Sequence, residues 1–224
     1  MRKPKCVAIV SGGMDSVTMA YFLAADHDLT LLSVDYGQRH VRELDCAAKA
    51  AAALAVPHHV VDLTSVGRLL TGSSLTDRSV PVPEGHYEDE TMRATVVPNR
   101  NALLLDLATA LAVAQGAQMV ATAVHAGDHA IYPDCRPAFI GAYQMMALCA
   151  NEGFIDPAFT VVAPFLYRSK AHIVVEGDRY RVPFADTWSC YQGGDKHCGR
   201  CGTCTERRGA FVDAFVPDPT AYEE

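Results

Sequence analysis

Four cysteines near the C-terminus, Cys190-x7-Cys198-x2-Cys201-x2-Cys204, constrain this chain more than any other feature. Two-residue gaps let the last three sulfurs turn toward one ion, and Cys190 lies far enough upstream to fold back as a fourth ligand. A tetrahedral four-sulfur site needs its thiolates at about 2.3 Å from the metal. Gly199 and Gly202 supply the tight turns between them. A site closed by four protein ligands leaves no open coordination position, so it reads as structural Zn2+ and not as a catalytic centre. The expectation is a small zinc-binding C-terminal region over 181–224, with the chemistry elsewhere in a domain over 1–180.

The chemistry-bearing pattern is at the other end. Residues 6–10 are a short apolar, β-branched run of the kind that forms a buried strand. Ser11-Gly-Gly-Met-Asp-Ser16 follows at once, and residues 17–25 read as a helix. Strand, glycine-rich turn and helix together present backbone N–H groups and a positive helix end to a phosphate. This places Val10, Ser11, Gly12, Gly13, Met14, Asp15 and Ser16 at a phosphate-binding turn. Asp15 is either a helix-capping acceptor or a ligand for nucleotide-bound Mg2+. The loop matches neither G-x-x-x-x-G-K-[ST] nor G-x-G-x-x-G, so it is not one of the two commonest phosphate-binding turns.

Beyond this loop, strand-like and helix-like segments alternate. Strands are expected over 29–36, 58–63, 118–124 and 159–165, and helices over 43–55, 101–116, 136–151 and 170–178. Residues 64–97 form a long connection rich in proline and charge, expected to be a lid or an unstructured segment. The alternation predicts an α/β fold with a doubly wound parallel sheet. Ligands of such sheets bind at the carboxyl ends of the strands. The polar clusters that follow the strands should therefore gather on one edge: Ser11 to Ser16, Asp35-Tyr-Gly-Gln-Arg-His40, Pro98-Asn-Arg-Asn101, His125 to His129, and Tyr132-Pro-Asp-Cys-Arg-Pro137. Arg39, Arg100 and Arg136 suit phosphate or carboxylate, which the guanidinium fork grips bidentately. Asp128 and Asp134 suit the N–H donors of a guanine-like ring. His125 and His129 stand four apart, but without a clear helix around them they read as loop residues and not as a metal pair.

The net charge of −7 argues against a nucleic-acid or anionic-membrane surface. No apolar run approaches the ~18 residues that a membrane helix requires. Eight cysteines in a chain of 224 residues, four of them at ligand spacing, fit a reducing cytoplasmic compartment better than a disulfide framework. Cys6, Cys46 and Cys149 lie in apolar segments and are expected to be small core residues.

The same motifs carry a resemblance to the PP-loop ATP-pyrophosphatases and, within them, to the 7-cyano-7-deazaguanine (preQ0) synthase family. Ser11-Gly-Gly-Met-Asp-Ser16 matches the PP-loop, and Asp35-Tyr-Gly-Gln-Arg-His40 a second signature. Val97-Pro-Asn-Arg-Asn101, Tyr132-Pro-Asp-Cys-Arg-Pro137 and the four cysteines match in order toward the C-terminus. The resemblance implies an adenine nucleotide alpha hydrolase-like fold and a homodimer. It implies ATP-dependent conversion of 7-carboxy-7-deazaguanine and ammonia to the nitrile, through an adenylated carboxylate and an amide, with Mg2+ and structural Zn2+. It places Asp15, Ser16, Arg100, Asp134 and Arg136 in catalysis, and Gln38, Arg39, Asn101, Tyr132, Asp134 and Arg136 on the substrate. Lys170 is placed to reach a phosphate, and no strong general base is evident. Asp128-His-Ala-Ile131 stands where many members carry Asp, an aromatic, Ser and Gly, and Asn99 where Gly is frequent.

Two related activities share the activation residues. A tRNA-thiolating enzyme would need a basic RNA-binding surface, which the charge does not supply. A ligase joining the deazaguanine carboxylate to a protein amine differs only in the nucleophile. Cys135, beside Arg136, is a candidate thiol nucleophile for the first of these, and its setting in the motif favours a packing role.

Overall fold

The computed structural model describes residues 2–86 and 90–223. Five parallel strands form one sheet in the order β3-β2-β1-β4-β5. They are β1 (Lys5–Ile9), β2 (Asp28–Asp35), β3 (His58–Asp62), β4 (Met119–Ala121) and β5 (Thr160–Val162). The helices are α1 (Met14–Ala24), α2 (Glu43–Leu54), the single turn α3 (Thr64–Gly67), α4 (Arg100–Gln115), α5 (Pro137–Ala150), α6 (Lys170–Arg179) and α7 (Gly202–Asp213). The doubly wound parallel sheet is thus as expected from the alternation.

Period-2 alternation explains how the apolar run of β1 from Cys6 onward serves two layers. Cys6, Ala8 and Val10 pack with Val17, Ala47, Ile173, Val174 and Phe211, on the face covered by α1, α2, α6 and α7. Val7 and Ile9 pack on the opposite face with Leu105, Ala108, Tyr143 and Ala147 of α4 and α5. β3 is an edge strand; its Val60 is 54% exposed, so it needs no second apolar face. Strand order reverses between β1 and β4, which pair side by side as Cys6 with Met119 through Ala8 with Ala121. That switch point opens a crevice at the carboxyl ends.

Several boundaries differ from the sequence reading. α1 starts at Met14, inside the glycine-rich loop. β4 and β5 are three residues each; after β4 the chain turns out of the sheet toward the 3-10 turn Ala126–Ala130. α4 ends on Gly116 in the left-handed region (φ 61°). Asn99 precedes it at φ 59°, a conformation that Gly or Asn adopts with least strain, so the Asn at that position is compatible with the turn.

The connection 64–97 is not an open lid where it is described; residues 87–89 lie outside the described residues. Ser73, Ser74, Leu75, Met92 and Thr95 are wholly buried. The peptide N–H of Arg39 donates to Leu75 O, and its guanidinium Nη2 to Asp77 O and Val80 O. Nor is 181–224 packed apart from the sheet domain: Phe184, Ala210 and Phe211 belong to the core around α1 and α6. Cys6 and Cys46 are buried as expected, but Cys149 is exposed, because it falls on the solvent side of α5.

Gly177 of α6 packs directly against side chains of neighbouring segments. A Cβ there would lie 2.3 Å from Phe184 Cζ and 3.0 Å from Thr18 Oγ1. Alanine would raise helix propensity by roughly 1 kcal/mol, but overpacking a closed core costs about 1–3 kcal/mol. Gly177→Ala should therefore lower stability by up to about 2 kcal/mol in denaturant titration; a stabilised variant would show that Phe184 yields freely.

Candidate active site at the switch point

The glycine-rich loop curls around one hydroxyl. Ser16 Oγ accepts the N–H groups of Ser11 (3.2 Å) and Gly12 (3.3 Å) and donates to Gly13 O (3.1 Å). Ser11 Oγ accepts the Gly13 N–H. Gly12 adopts φ 100°, and a Cβ on it would stand 1.9 Å from the carbonyl oxygen of Glu43. Only glycine allows the first turn of α2 to approach this loop so closely. Gly13 is the N-terminal cap of α1 and brings no side-chain cap. Asp15 is therefore free of the capping role.

Asp15 instead enters a charged cluster. Lys170 Nζ, at the start of α6, is 2.6 Å from Asp15 Oδ2 and 3.2 Å from Glu206 Oε2 of α7. Burial alone would discharge this lysine, but the two carboxylates outweigh it and hold the ammonium well above its ordinary range. Burial would likewise protonate Asp15, yet Lys170 and His125 keep its carboxyl below the usual range. His125 is 1% exposed. Its Nδ1 accepts the Gly127 N–H (3.1 Å), leaving Nε2 to face Asp128 Oδ1 (3.6 Å) and Asp15 Oδ2 (3.9 Å). This histidine belongs to the charged cluster beside the glycine-rich loop and is not half of a metal pair with His129.

The other side of the crevice is aromatic and cationic. Arg100, Tyr36, Tyr132, Tyr191, Trp188 and Asn101 line one cavity with Val10, Ser11, Gly13, Met14, Asp15, Ser16, Gln38 and Glu43. Among the described residues no carboxylate forms an ion pair with Arg100. Tyr132 Oη and Thr95 Oγ1 are 2.5 Å apart. Gln38 lines the wall but is folded on its own strand end, accepting the Tyr36 N–H and donating to Val34 O.

Three of the residues expected on nucleotide or substrate do not reach this cavity. Arg39 grips the 77–80 turn. Asp134 Oδ2 accepts the Asn101 N–H (3.2 Å), which ties down the open N-terminal turn of α4. Arg136 is the exposed N-cap of α5, its Nε bonded to His129 O. The 3-10 turn Pro133–Cys135 directs Cys135 inward and Arg136 outward. Cys135 Sγ accepts a hydrogen bond from Asn101 Nδ2 (3.2 Å). Burial, with Asp128 adding to it, pushes its thiol well above the ordinary range. A thiol kept protonated packs and does not attack.

Sequence reasoning missed Glu43, Glu206, Trp188 and Tyr191. Glu43 carried a weak signal, five residues beyond Gln38 but inside an alanine-rich helix; Glu206 carried none.

The four cysteines converge. Their sulfurs lie within 4.8 Å of one another and all four residues are buried. Cys198 and Cys204 Sγ are 3.9 Å apart, close to the ~3.8 Å edge of a tetrahedron with metal–sulfur bonds of about 2.3 Å. Peptide N–H groups of Cys198 and Cys201 point at the sulfurs of Cys190 and Cys198, an arrangement that favours thiolates. The residues present fit a metal. Trp188, ahead of the cluster, donates its peptide N–H to Gly12 O (3.0 Å) and its indole N–H to Cys190 O (2.8 Å). The cysteine region thus braces the ATP loop directly.

A profile of the family described as Queuosine biosynthesis protein QueC matches residues 5–215. The chain belongs to this family. It is 58% identical over 221 residues to the 7-cyano-7-deazaguanine synthase of Paracoccus denitrificans (strain Pd 1222), covering 98% of this chain and 94% of that one. The protein of the same name from Rhizobium johnstonii (strain DSM 114642 / LMG 32736 / 3841) is also 58% identical, over 98% of this chain and 92% of its own. Among solved structures, an NH3-dependent NAD synthetase from Campylobacter jejuni subsp. jejuni NCTC 11168 is a remote likeness, at 13% identity and TM-score 0.48 over 82% of this chain and 66% of that one. Among the described residues no helix is long and apolar enough to cross a membrane.

Cys201→Ser should remove bound metal and lower the melting temperature by about 5 °C or more, since metal binding contributes directly to folding. Elemental analysis and a melting curve read both; unchanged metal content would disprove the four-sulfur assignment. Glu43 generates a second prediction. Burial, reinforced by Asp15, pushes its carboxyl up to about 8 from 4.5. Between those values the folded protein holds a proton that the unfolded chain releases, so this group's contribution declines as pH rises from 4.5 to 8. Glu43→Gln should flatten that part of the decline in melting temperature; parallel curves for variant and wild type would contradict it.

Proposed function

We propose that this protein converts 7-carboxy-7-deazaguanine and ammonia to 7-cyano-7-deazaguanine at the expense of ATP. The observation that carries the reading is the pairing, in one cavity, of the Ser11–Ser16 loop with the Arg100 guanidinium, which among the described residues forms no ion pair with a carboxylate. The 58% identity to proteins named for this reaction supports it.

A carboxylate is a poor acyl donor because oxide would have to leave. Transfer of AMP to it creates a competent leaving group, ammonia then gives the amide, and a second activation at the amide oxygen allows elimination to the nitrile. The open N–H groups of the first turn of α1, from Met14 to Ser16, receive the phosphates of each ATP. Lys170, held charged beside Asp15, neutralises developing phosphate charge. Asp15 would hold Mg2+, which supplies further neutralisation at the phosphates. Arg100 anchors the substrate carboxylate through a bidentate fork, and Tyr36, Tyr132 and Tyr191 face the planar ring. The four cysteines would hold Zn2+, whose part is to shape the wall at Trp188 and Thr203.

The test is incubation of the full chain with Mg-ATP, 7-carboxy-7-deazaguanine and ammonium, followed by mass spectrometry. Nitrile with AMP and pyrophosphate is expected; AMP without nitrile would transfer the reading to another acceptor amine. Arg100→Met should raise the KM for the acid at least about tenfold, the value of a charged hydrogen-bonded pair, while the KM for ATP moves less. Equal changes in both would remove Arg100 from the carboxylate.

A further inference from the structure

The reaction proposed above releases protons that its residues, as assigned so far, do not collect. Ammonia attack on the acyl adenylate forms a C–N bond, breaks the C–O bond to AMP, and sheds one N–H proton. Activation of the amide oxygen by ATP releases pyrophosphate and a second proton. Elimination then breaks the remaining C–O bond, AMP leaves with the electron pair, and the last N–H proton is lost as the triple bond forms. All three protons come from one nitrogen, beside the Arg100 anchor and the leaving AMP.

Three carboxyls line the cavity: Asp15, Glu43 and Asp128. Asp15 is committed to Lys170 at 2.6 Å. Asp128 accepts the His125 peptide N–H (3.2 Å) and faces that histidine's ring. Among the described residues Glu43 has no lysine or arginine within 4.0 Å; its Oε2 is 3.5 Å from His40 Nε2. It is 9% exposed. Its position follows from the close approach of α2 to the glycine-rich loop: a Cβ on Gly13 would be 3.6 Å from Glu43 Oε1, and Arg100 lines the same cavity and acts on its charge. The carboxyl thus stands between the place where AMP leaves and the place where the substrate carboxylate is held.

We propose that Glu43 is the proton acceptor for the nitrogen in amide formation and nitrile elimination, with His40 orienting its carboxyl. This inference rests on the proposed nitrile-forming reaction. The charged and titratable groups facing Glu43 are Arg100 of α4, Asp15 of α1, Lys170 of α6, His40 and Tyr36 from the end of β2 and beyond, and Cys46 on its own helix. Burial and Asp15 raise its affinity for a proton, and Arg100 and Lys170 oppose them, with a balance near 8. A carboxyl in that range takes a proton from nitrogen far better than an ordinary carboxylate. Burial, with Arg100, pushes the His40 imidazole down to about 4, so it stays neutral beside the carboxyl.

The experiment separates the proton-releasing steps from the first activation, which releases none. Wild type, Glu43→Gln and Glu43→Asp are compared as full chains with their bound metal. One arm follows single-turnover pyrophosphate release from Mg-ATP and 7-carboxy-7-deazaguanine without ammonia. The other follows conversion of the amide, 7-carboxamido-7-deazaguanine, to nitrile between about pH 6 and about pH 9, free of ammonia's own titration. Wild type should rise with pH and level above about 8. Glu43→Gln should lose about 100-fold or more in the amide arm, with a flat profile, and less than about tenfold in the pyrophosphate arm. Equal losses in both arms, with an unchanged melting curve, would mean that Glu43 holds nucleotide or Mg2+, and would overturn the proposal. An unchanged amide rate would overturn it as well. If Glu43→Gln does not fold, Glu43→Asp decides: a displaced pH midpoint supports the assignment and an unmoved one rejects it. A wild-type protein that forms no nitrile from either substrate defeats the functional reading itself, and this inference with it.

Discussion

The contact between Gly12 and the first turn of α2 governs the site. The carbonyl of Glu43 occupies the space a side chain on Gly12 would need. Because the approach is backbone to backbone, it cannot be relaxed by rotating a side chain. It fixes the height of α2 over the carboxyl end of β1, and with it the direction of the Glu43 side chain into the crevice. On its other side the same residue accepts a hydrogen bond through Gly12 O from the Trp188 peptide N–H. One glycine therefore joins three segments that are far apart in sequence: the ATP loop, the start of α2 and the approach to the cysteines.

That third segment makes the cysteine region part of the site wall. Trp188 and Thr203 face the cavity, and Glu206 shares Lys170 with Asp15. Arg207 is wholly buried. Its guanidinium donates to Thr187 and Ser189 hydroxyls, Phe184 O and Thr220 Oγ1. A buried charge satisfied by so many acceptors is costly to displace, and it locks the 184–189 stretch to α7. A metal at the four thiols would therefore act on the ATP loop mechanically, by holding Trp188 and α7 in place, although it takes no part in bond making.

The sheet, its parallel sense and the gathering of polar clusters on one edge were legible in the sequence, because the run from Cys6 to Val10 is apolar and strand-like and helix-like segments alternate. The four-cysteine convergence was legible from spacing alone. The roles within the Tyr132–Pro137 motif were not. Arg136 and Asp134 have the right chemistry for an anion or a guanine-like ring. However, a 3-10 turn and a proline-initiated helix decide where side chains point, and neither leaves a periodic signal over three residues. Arg39 was misplaced for a related reason: its partners are backbone carbonyls of the 77–80 turn, which no side-chain pattern reveals. Glu206 was invisible because its significance depends on α7 packing across α6, a contact between segments with no shared motif.

The crevice divides its electrostatics. On the loop side, Lys170 stands between the carboxylates of Asp15 and Glu206, with the His125 ring beside them. On the α4 side Arg100 stands among tyrosines, and Glu43 lies between the two halves. A triphosphate entering the first half meets donors already oriented by Ser16 and the α1 terminus. A planar carboxylate entering the second meets a single strong cation in weakly polar surroundings, where Coulomb attraction is least screened. Such a division suits a reaction that must bring together two anions, an α-phosphate and a carboxylate. Each is neutralised by a different part of the fold, so their mutual repulsion is met before the atoms approach. Near neutrality most of the Glu43 carboxyl at this boundary is protonated and adds no third negative charge, and its ionised fraction, which grows toward pH 8, is the form that accepts a proton.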